Sequence, residues 1–333
     1  MPVITKPNQH FDTTTYTGNG GTQSITSLGF QPDFVWVKSR STGSTNHLLE
    51  DVIRGTKNSL ISNGNNAELA RGINAFLSNG FSFNDDASGD GNVNSQTYVA
   101  WNWKAGGAAV TNTSGSITSQ VSANPTAGFS IVKINASGSS GSIGHGLGVA
   151  PSMIIGKNTA GADDWYTYHA SIGTGAFIRL NTTAAQASSA SAYTNINSTT
   201  FTAGSGVLSN NAHIFYCFAQ VAGYSAFGSY VGNDSADGTF IYTGFRPAFI
   251  LYKKATGIDG WVIFDVKRNT YNVVDTALQP NTTGAEASSA AGSLDILSNG
   301  FKQRNANNIA NSSSFTYIYM AFAEAPFKYA NAR

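Results

Sequence analysis

Apolar residues in this chain fall in short blocks of strand length, and three of those blocks carry most of the pattern. They are Tyr98-Val-Ala-Trp-Asn-Trp103, His213-Ile-Phe-Tyr-Cys-Phe218 and Tyr317-Ile-Tyr-Met-Ala-Phe322. One alternating set reads Val99, Trp101, Trp103, then Ile214, Tyr216, Phe218, then Ile318, Met320, Phe322. The other set contains Ala100, Phe215 and Tyr319, which are apolar too. A strand that is apolar on both faces must be covered on both, so each block predicts a central strand of a layered structure. A second type of block follows a proline: Asp33-Phe-Val-Trp-Val-Lys38, Ser152-Met-Ile-Ile-Gly-Lys157 and Ala248-Phe-Ile-Leu-Tyr-Lys253. These runs are rich in β-branched and aromatic residues, and the proline biases the residue before it toward extended geometry. Gly-Asn-Gly, Ser-Asn-Gly and Asp-Gly pairs punctuate the runs with turns. Helix is scarce. Asn66–Arg71 and Thr283–Ser288 are the two places where one helical turn is expected.

The blocks recur in a fixed order. A leading Phe (Phe11, Phe129, Phe227) stands 21, 22 and 20 positions before its proline (Pro32, Pro151, Pro247). The aromatic block begins 66, 62 and 70 residues after that proline. Prolines 119 and 96 residues apart are too widely spaced for a solenoid and suit whole domains. The predicted fold is all-β, with three tandem jelly-roll-like (lectin-like) β-sandwich domains. Residues 1–10 carry Pro2 and Pro7 and read as an extended N-terminal arm. Repeats follow at 11–105, 129–223 and 224–333, the last with a C-terminal tail. The Gly/Ala/Ser/Thr stretch 106–128 reads as a linker.

Composition narrows the function. Charged residues are 11% of the 333, against roughly 25% in an average soluble protein. The net charge of +1 gives no electrostatic footprint for nucleic acid or an anionic membrane. At 41% hydrophobic and 12% aromatic residues, placed periodically, the Ser/Gly/Asn richness does not read as disorder. The single Cys217 permits no intrachain disulfide and reads as a small core residue. No run approaches the length of a membrane-spanning helix. The N-terminus lacks the apolar core of a signal peptide, so synthesis in a cytoplasm without secretion by that route is expected.

Candidate chemistry is sparse. Retaining glycan hydrolysis needs two carboxylates about 5 Å apart, yet Glu50 and Asp51 are neighbours that a strand turns to opposite faces. Asp51, His169 and Asp265 recur at the end of an apolar strand in each repeat; the simplest reading is a turn or hydrogen-bonding position. Trp165 and Trp261 occupy matching places, with His47 at the corresponding place of the first repeat. Core packing is the favoured reading of both Trp residues. Trp165, Trp261, His169 and Asp265 are nevertheless the candidates for contact with a glycan or a partner. The oxygen-rich Asn84–Asn92 stretch reads as a hairpin turn, since its spacing does not match a calcium loop. Neither the five histidines nor the glycine-rich Gly144–Gly148 has the spacing of a metal site or a phosphate loop. No catalytic, cofactor or metal residues are therefore assigned, and no enzymatic activity is expected.

Several strings resemble a known family. They are Tyr16-Thr-Gly-Asn-Gly20, Gly29-Phe-Gln-Pro-Asp-Phe-Val-Trp-Val-Lys38, Ser116-Ile-Thr-Ser-Gln-Val-Ser-Ala-Asn124, Gly146-Leu-Gly-Val-Ala-Pro151 and the C-terminal Tyr317–Arg333. Together with the opening Ile4–Thr13, they are similar to a domain of unknown function abundant in phage genomes, especially those of marine phages. The likeness spans nearly the whole chain from Phe11. It implies a virion structural protein: a tail fibre, a receptor-binding part or a head-surface decoration, made in the host cytoplasm. Implied partners are other virion proteins and further copies of the chain, with a trimer among the options. A host surface glycan is the alternative ligand. The family carries no established catalytic residues to transfer.

Overall fold

The structure, a computed structural model, describes residues 3–84, 89–288 and 292–326. It is nearly all β, and every pairing between named strands is antiparallel among the described residues. Each repeat supplies a large sheet in which an aromatic strand lies between its opening strand and the strand at the proline. In the first repeat Thr97–Trp103 lies between Phe11–Thr17 and Phe34–Ser39. In the second Ala212–Phe218 lies between Phe129–Asn135 and Met153–Asn158. In the third Thr316–Pro326 lies between Ser225–Val231 and Phe245–Lys254. A further strand, Leu48–Asp51, Tyr166–His169 or Trp261–Asp265, extends each sheet beyond the proline strand. Each repeat also has a three-stranded second sheet. Its edge strand is Gln23–Ile25, Gly141–Gly144 or Phe240–Tyr242, and its middle strand is Gly80–Phe83, Thr200–Ala203 or Gly300–Gln303.

The two apolar faces of the aromatic strands have different destinations. Tyr98 and Ala100, Phe215 and Cys217, and Tyr317, Tyr319 and Ala321 each pack into their own repeat's core. Val99, Trp101, Trp103, Ile214, Tyr216, Phe218, Ile318, Met320 and Phe322 all enter one further cluster shared by the three repeats. Phe11, Phe34, Phe129, Phe249, Trp165 and Trp261 join it. The rings interlock across repeats, with Phe34 stacked on Tyr216 at 4.1 Å and Phe11 on Phe322 at 5.0 Å between centroids. So the face opposite each repeat's own core is covered by the other two repeats. Burial pushes the Cys217 thiol up, and it sits as a small apolar residue in the second repeat's core.

Several expectations change. The register pairs Phe11 with Trp103, Phe129 with Phe218 and Ser225 with Phe322. Phe227 pairs with Met320, so by register Ser225, not Phe227, is the counterpart of the two leading phenylalanines. Pro32 and Pro151 precede their strands, whereas Pro247 lies within one, at a bulge. The stretch 106–128 is not a linker. Val110–Asn112 and Ser119–Asn124 extend the second repeat's large sheet past its opening strand. Ser-Gln-Val-Ser-Ala-Asn is too polar for an apolar period to reveal it. Neither predicted helical turn forms, while a short helix appears at Asn308–Asn311, capped by the Asn307 side chain. The arm is not free: Ile4 is buried in the shared core, Pro7–Gln9 forms a 3-10 turn, and Lys104 N donates to the His10 carbonyl at 2.8 Å. The calcium question at Asp85–Ser88, and the tail Phe327–Arg333, lie outside the described residues.

Candidate functional site

The four candidate contact residues come together at the seams between repeats. Trp165, Trp261, His169 and Asp265 are each no more than 1% exposed. Their places are therefore corrected: none presents a ring face or polar atom to a glycan outside the chain. Each instead bonds to a different repeat.

The first set of joints is built on the strand-end triplet. Asp51 Oδ1 accepts the backbone N–H groups of Ile53 and Arg54 at 3.0 and 2.9 Å, capping the turn that follows the strand. Its Oδ2 accepts from Arg54 Nε at 2.6 Å and from the Tyr216 hydroxyl of the second repeat at 2.9 Å. Asp265 repeats the arrangement. Its Oδ1 caps Lys267 and Arg268 at 3.1 and 3.0 Å, and its Oδ2 accepts from Arg268 Nε at 2.6 Å and from Trp101 Nε1 of the first repeat at 3.1 Å. His169 does the same work without charge. Its Nδ1 accepts from Ser171 N at 3.1 Å, which leaves the proton on Nε2 to donate to the Tyr319 carbonyl of the third repeat at 3.0 Å. Burial pushes His169 down to about 4, although the bond to Tyr319 favours its charged form. Against the cost of burial, Asp51, Tyr216 and Glu68 hold the Arg54 guanidinium protonated.

A second set runs along the same seams in the opposite direction. Trp165 Nε1 donates to the Ile61 carbonyl and Trp261 Nε1 to the Arg179 carbonyl, each at 2.8 Å. His47 Nδ1 accepts from Trp36 Nε1 at 3.0 Å, so its Nε2 donates to the Gln279 carbonyl at 3.1 Å. Two residues beyond each acceptor an asparagine turns back. Asn63, Asn181 and Asn281 accept through Oδ1 from the backbone N–H of His47, Trp165 and Trp261 at 2.8, 3.0 and 2.8 Å. A third set is backbone to backbone: Glu68 N to Thr159 O at 2.8 Å, Gln186 N to Ala255 O at 2.7 Å and Glu286 N to Arg40 O at 3.0 Å. All three sets join repeat 1 to 2, 2 to 3 and 3 to 1.

Three lysines that sequence reasoning left aside lie beside these seams. Burial pushes Lys38, Lys157 and Lys253 each down to about 8. Lys38 Nζ donates to the Ser39 carbonyl at 3.0 Å and across a seam to the Thr283 carbonyl at 3.1 Å. Lys253 Nζ reaches the Lys254 carbonyl at 2.7 Å and Thr183 of the second repeat at 3.4 Å. Lys157 bonds within its own repeat, to the Asn158 and Gly161 carbonyls. The recurrent Lys that ends each proline-strand block was the signal for them, as Asn63, Asn181 and Asn281 were for the caps.

Glu50 and Asp51 do face opposite ways. Glu50 Oε1 accepts from Ser59 Oγ at 2.9 Å and Ile73 N at 2.8 Å inside the first repeat. Burial pushes Glu50 up to about 7. No group of three or more His, Cys, Asp or Glu side chains capable of holding a metal ion occurs among the described residues. None of their helices is long and apolar enough to cross a membrane. The recurring polar side chains are thus occupied in holding an all-β body of three repeats closed on one another. The sequence places it in a family: residues 6–326 match the profile of a domain of unknown function, DUF7483, and the chain belongs to that family. No curated protein matches the chain.

Proposed function

We propose that this protein is a non-enzymatic structural component of a phage virion surface, built from three tandem jelly-roll-like sandwiches and assembled by protein–protein contact. The observation that supports this reading most is the closed ring of joints. The recurring polar triplets are occupied in joining repeats, which suits a rigid building block better than a catalyst. The low charge and the Ser/Thr/Asn/Gly-rich composition fit assembly through hydrogen-bonded and apolar contacts. The ring also bears on oligomerisation. Bonds running 1 to 2, 2 to 3 and 3 to 1 reproduce within one chain the closure of a cyclic trimer, so further copies and other virion proteins attach through the outer surface. Because Ile4 sits in the shared core, the arm belongs to the fold.

Peptide mass spectrometry and antibody labelling of purified particles, from a phage encoding the chain, test the reading. The chain is expected in stoichiometric amount on the particle surface, and its absence there would overturn the proposal. Polysaccharide hydrolysis by the purified protein, lost on substitution of a single Asp or Glu, would overturn its non-enzymatic part. A second reading, a module that binds host-surface glycans, is favoured by an exposed aromatic pair on the third repeat.

A further inference from the structure

The three repeats serve as one another's controls, and one surface breaks the pattern. In the second sheets, Ile25 pairs with Phe81, Ile143 with Phe201 and Ile241 with Phe301, all buried. The residues on either side of this isoleucine point to the outer face. They are Ser24 and Thr26 in the first repeat and Phe240 and Tyr242 in the third; in the second, Ser142 and Gly144 lie beneath Ser116 and Asn112, so that face is covered by the chain itself. Phe240 is 45% and Tyr242 64% exposed. Large aromatics set side by side on an open outer strand face, where the first repeat carries small polar residues and the second is covered by its own chain, are not explained by folding.

The rings are laid down on glycine. A methyl group built on Gly300, which pairs with Tyr242, would lie 3.1 Å from Phe240 Cε2. One built on Gly244 would lie 3.6 Å from the Tyr242 hydroxyl and 3.8 Å from its ring. The bare backbone lets the rings lie against the sheet, and alternate residues on a strand stand about 7 Å apart. Across the same face, Lys302 pairs with Phe240 and Asp295 with Lys302. These charges are matched internally: Lys302 bonds to Asp237, and Arg304 to Asp295 at 3.2 Å.

We propose that Phe240 and Tyr242 form a stacking platform for a neutral pyranose saccharide. Two aromatic side chains cover at most ~500 Å², well short of the ~800 Å² per partner that a stable protein interface needs. A sugar ring matches the smaller area: its C–H face stacks on an aromatic ring while its hydroxyls reach donors and acceptors at the edge. The internally paired rim carries no surplus cation for a sialic or uronic acid, so the complementarity is with an uncharged glycan. This inference rests on the glycan-binding reading above and gives it a place and a ligand class.

The test exchanges the third repeat's residues for those of the first, Phe240→Ser with Tyr242→Thr, in the full chain. Tyr242→Thr alone serves as the milder variant should the pair reduce folding. Wild type and variants are titrated calorimetrically with neutral and acidic oligosaccharides chosen from a glycan array. Wild type is expected to bind a neutral glycan, and the double variant to bind about tenfold more weakly or worse, equivalent to roughly 1.4 kcal/mol, with an unchanged melting temperature. Undiminished binding by a folded double variant would overturn the placement and leave the glycan reading standing. No binding by wild type to any glycan would overturn both. Concentration-dependent self-association abolished by the substitutions would assign the patch to a second copy and overturn the ligand class.

Discussion

The seam between repeats 2 and 3 differs from the other two, and the difference explains how such a joint is specified. Where the aromatic strand offers a side-chain donor, Trp101 or Tyr216, the preceding repeat presents an Asp with an Arg three residues on. Where that place holds Met320, which has no donor, the Asp becomes His169 and the Arg becomes Ile172, which packs against the shared core. All three substitutions agree. A buried Asp–Arg pair is tolerable only when its remaining oxygens and protons are satisfied, and Tyr216 or Trp101 provides one of those contacts. Without it, a neutral imidazole that donates to a backbone carbonyl is the cheaper joint. The Asp also caps its own turn, and His169 keeps that half of the role through Ser171.

The strongest way to break this comparison is to mix the two kinds of joint. His169→Asp alone would bury a carboxylate facing Ile172 and Met320, with no cation and no cross-seam donor. It should cost about 3–5 kcal/mol, the penalty for an uncompensated buried charge. Asp265→Ala, which leaves the buried Arg268 with only Glu286 at 3.5 Å as a counter-charge, should cost somewhat less, about 2–4 kcal/mol. The triple change His169→Asp, Ile172→Arg, Met320→Tyr installs the whole joint and should recover most of the loss. Denaturant unfolding measures all three. A triple variant no more stable than His169→Asp alone would show that the joints are not interchangeable units.

Acid separates the joints next. His169 sits at about 4 in the folded chain against 6.5 when unfolded. The unfolded chain therefore takes up a proton near pH 6.5, whereas the folded one resists until about 4. Stability from this residue is complete above 6.5 and is lost as pH falls through that window, by about 3 kcal/mol in all at 1.36 kcal/mol per pKa unit. Glu50, pushed up to about 7, acts the other way, since its folded state binds a proton first as pH falls. The informative quantity is therefore the difference between wild type and His169→Gln, whose amide can still donate to Tyr319. That difference should shift toward the variant by about 3 kcal/mol between pH 7 and 4. A constant difference would mean that His169 titrates normally.

The sequence made one face of this architecture readable and left the other dark. The aromatic strands stood out because both alternating sets are apolar, and that predicted cover on both sides. What supplies the second cover, two other repeats, has no local signature. The same holds for the joints. Asp51, His169 and Asp265 were visible as a recurring triplet, and the cap is what a strand-end polar residue suggests. Their cross-seam partners lie 165, 150 and 164 positions away in the chain. Trp165 and Trp261 were better read as core than as sugar platforms. The exposed pair that does suit a sugar, Phe240 and Tyr242, has no signal in the sequence and stands out only when the register aligns it with Ser24 and Thr26.

The smallest expected effect is the most specific. Trp101→Phe keeps most of the ring buried and removes only the Nε1 donor, leaving Asp265 Oδ2 with Arg268. A hydrogen bond to a charged group is worth roughly 1.5–3 kcal/mol. Arg268 and two backbone N–H groups still serve the carboxylate, so about 1–2 kcal/mol is expected here. Asp265→Asn removes the charge but also disturbs the Arg268 pair, so neither single variant isolates the cross-seam bond. The double variant does: in a double-mutant cycle the coupling between positions 101 and 265 should be about 1–2 kcal/mol. The parallel cycle on Met320→Leu with His169→Gln should give about 0.5 kcal/mol or less, because His169 bonds to the Tyr319 backbone and not to the Met320 side chain. Equal coupling in the two cycles would mean that position 320 is read by its packing alone, and the link between a donor on the strand and an Asp–Arg pair across the seam would fail.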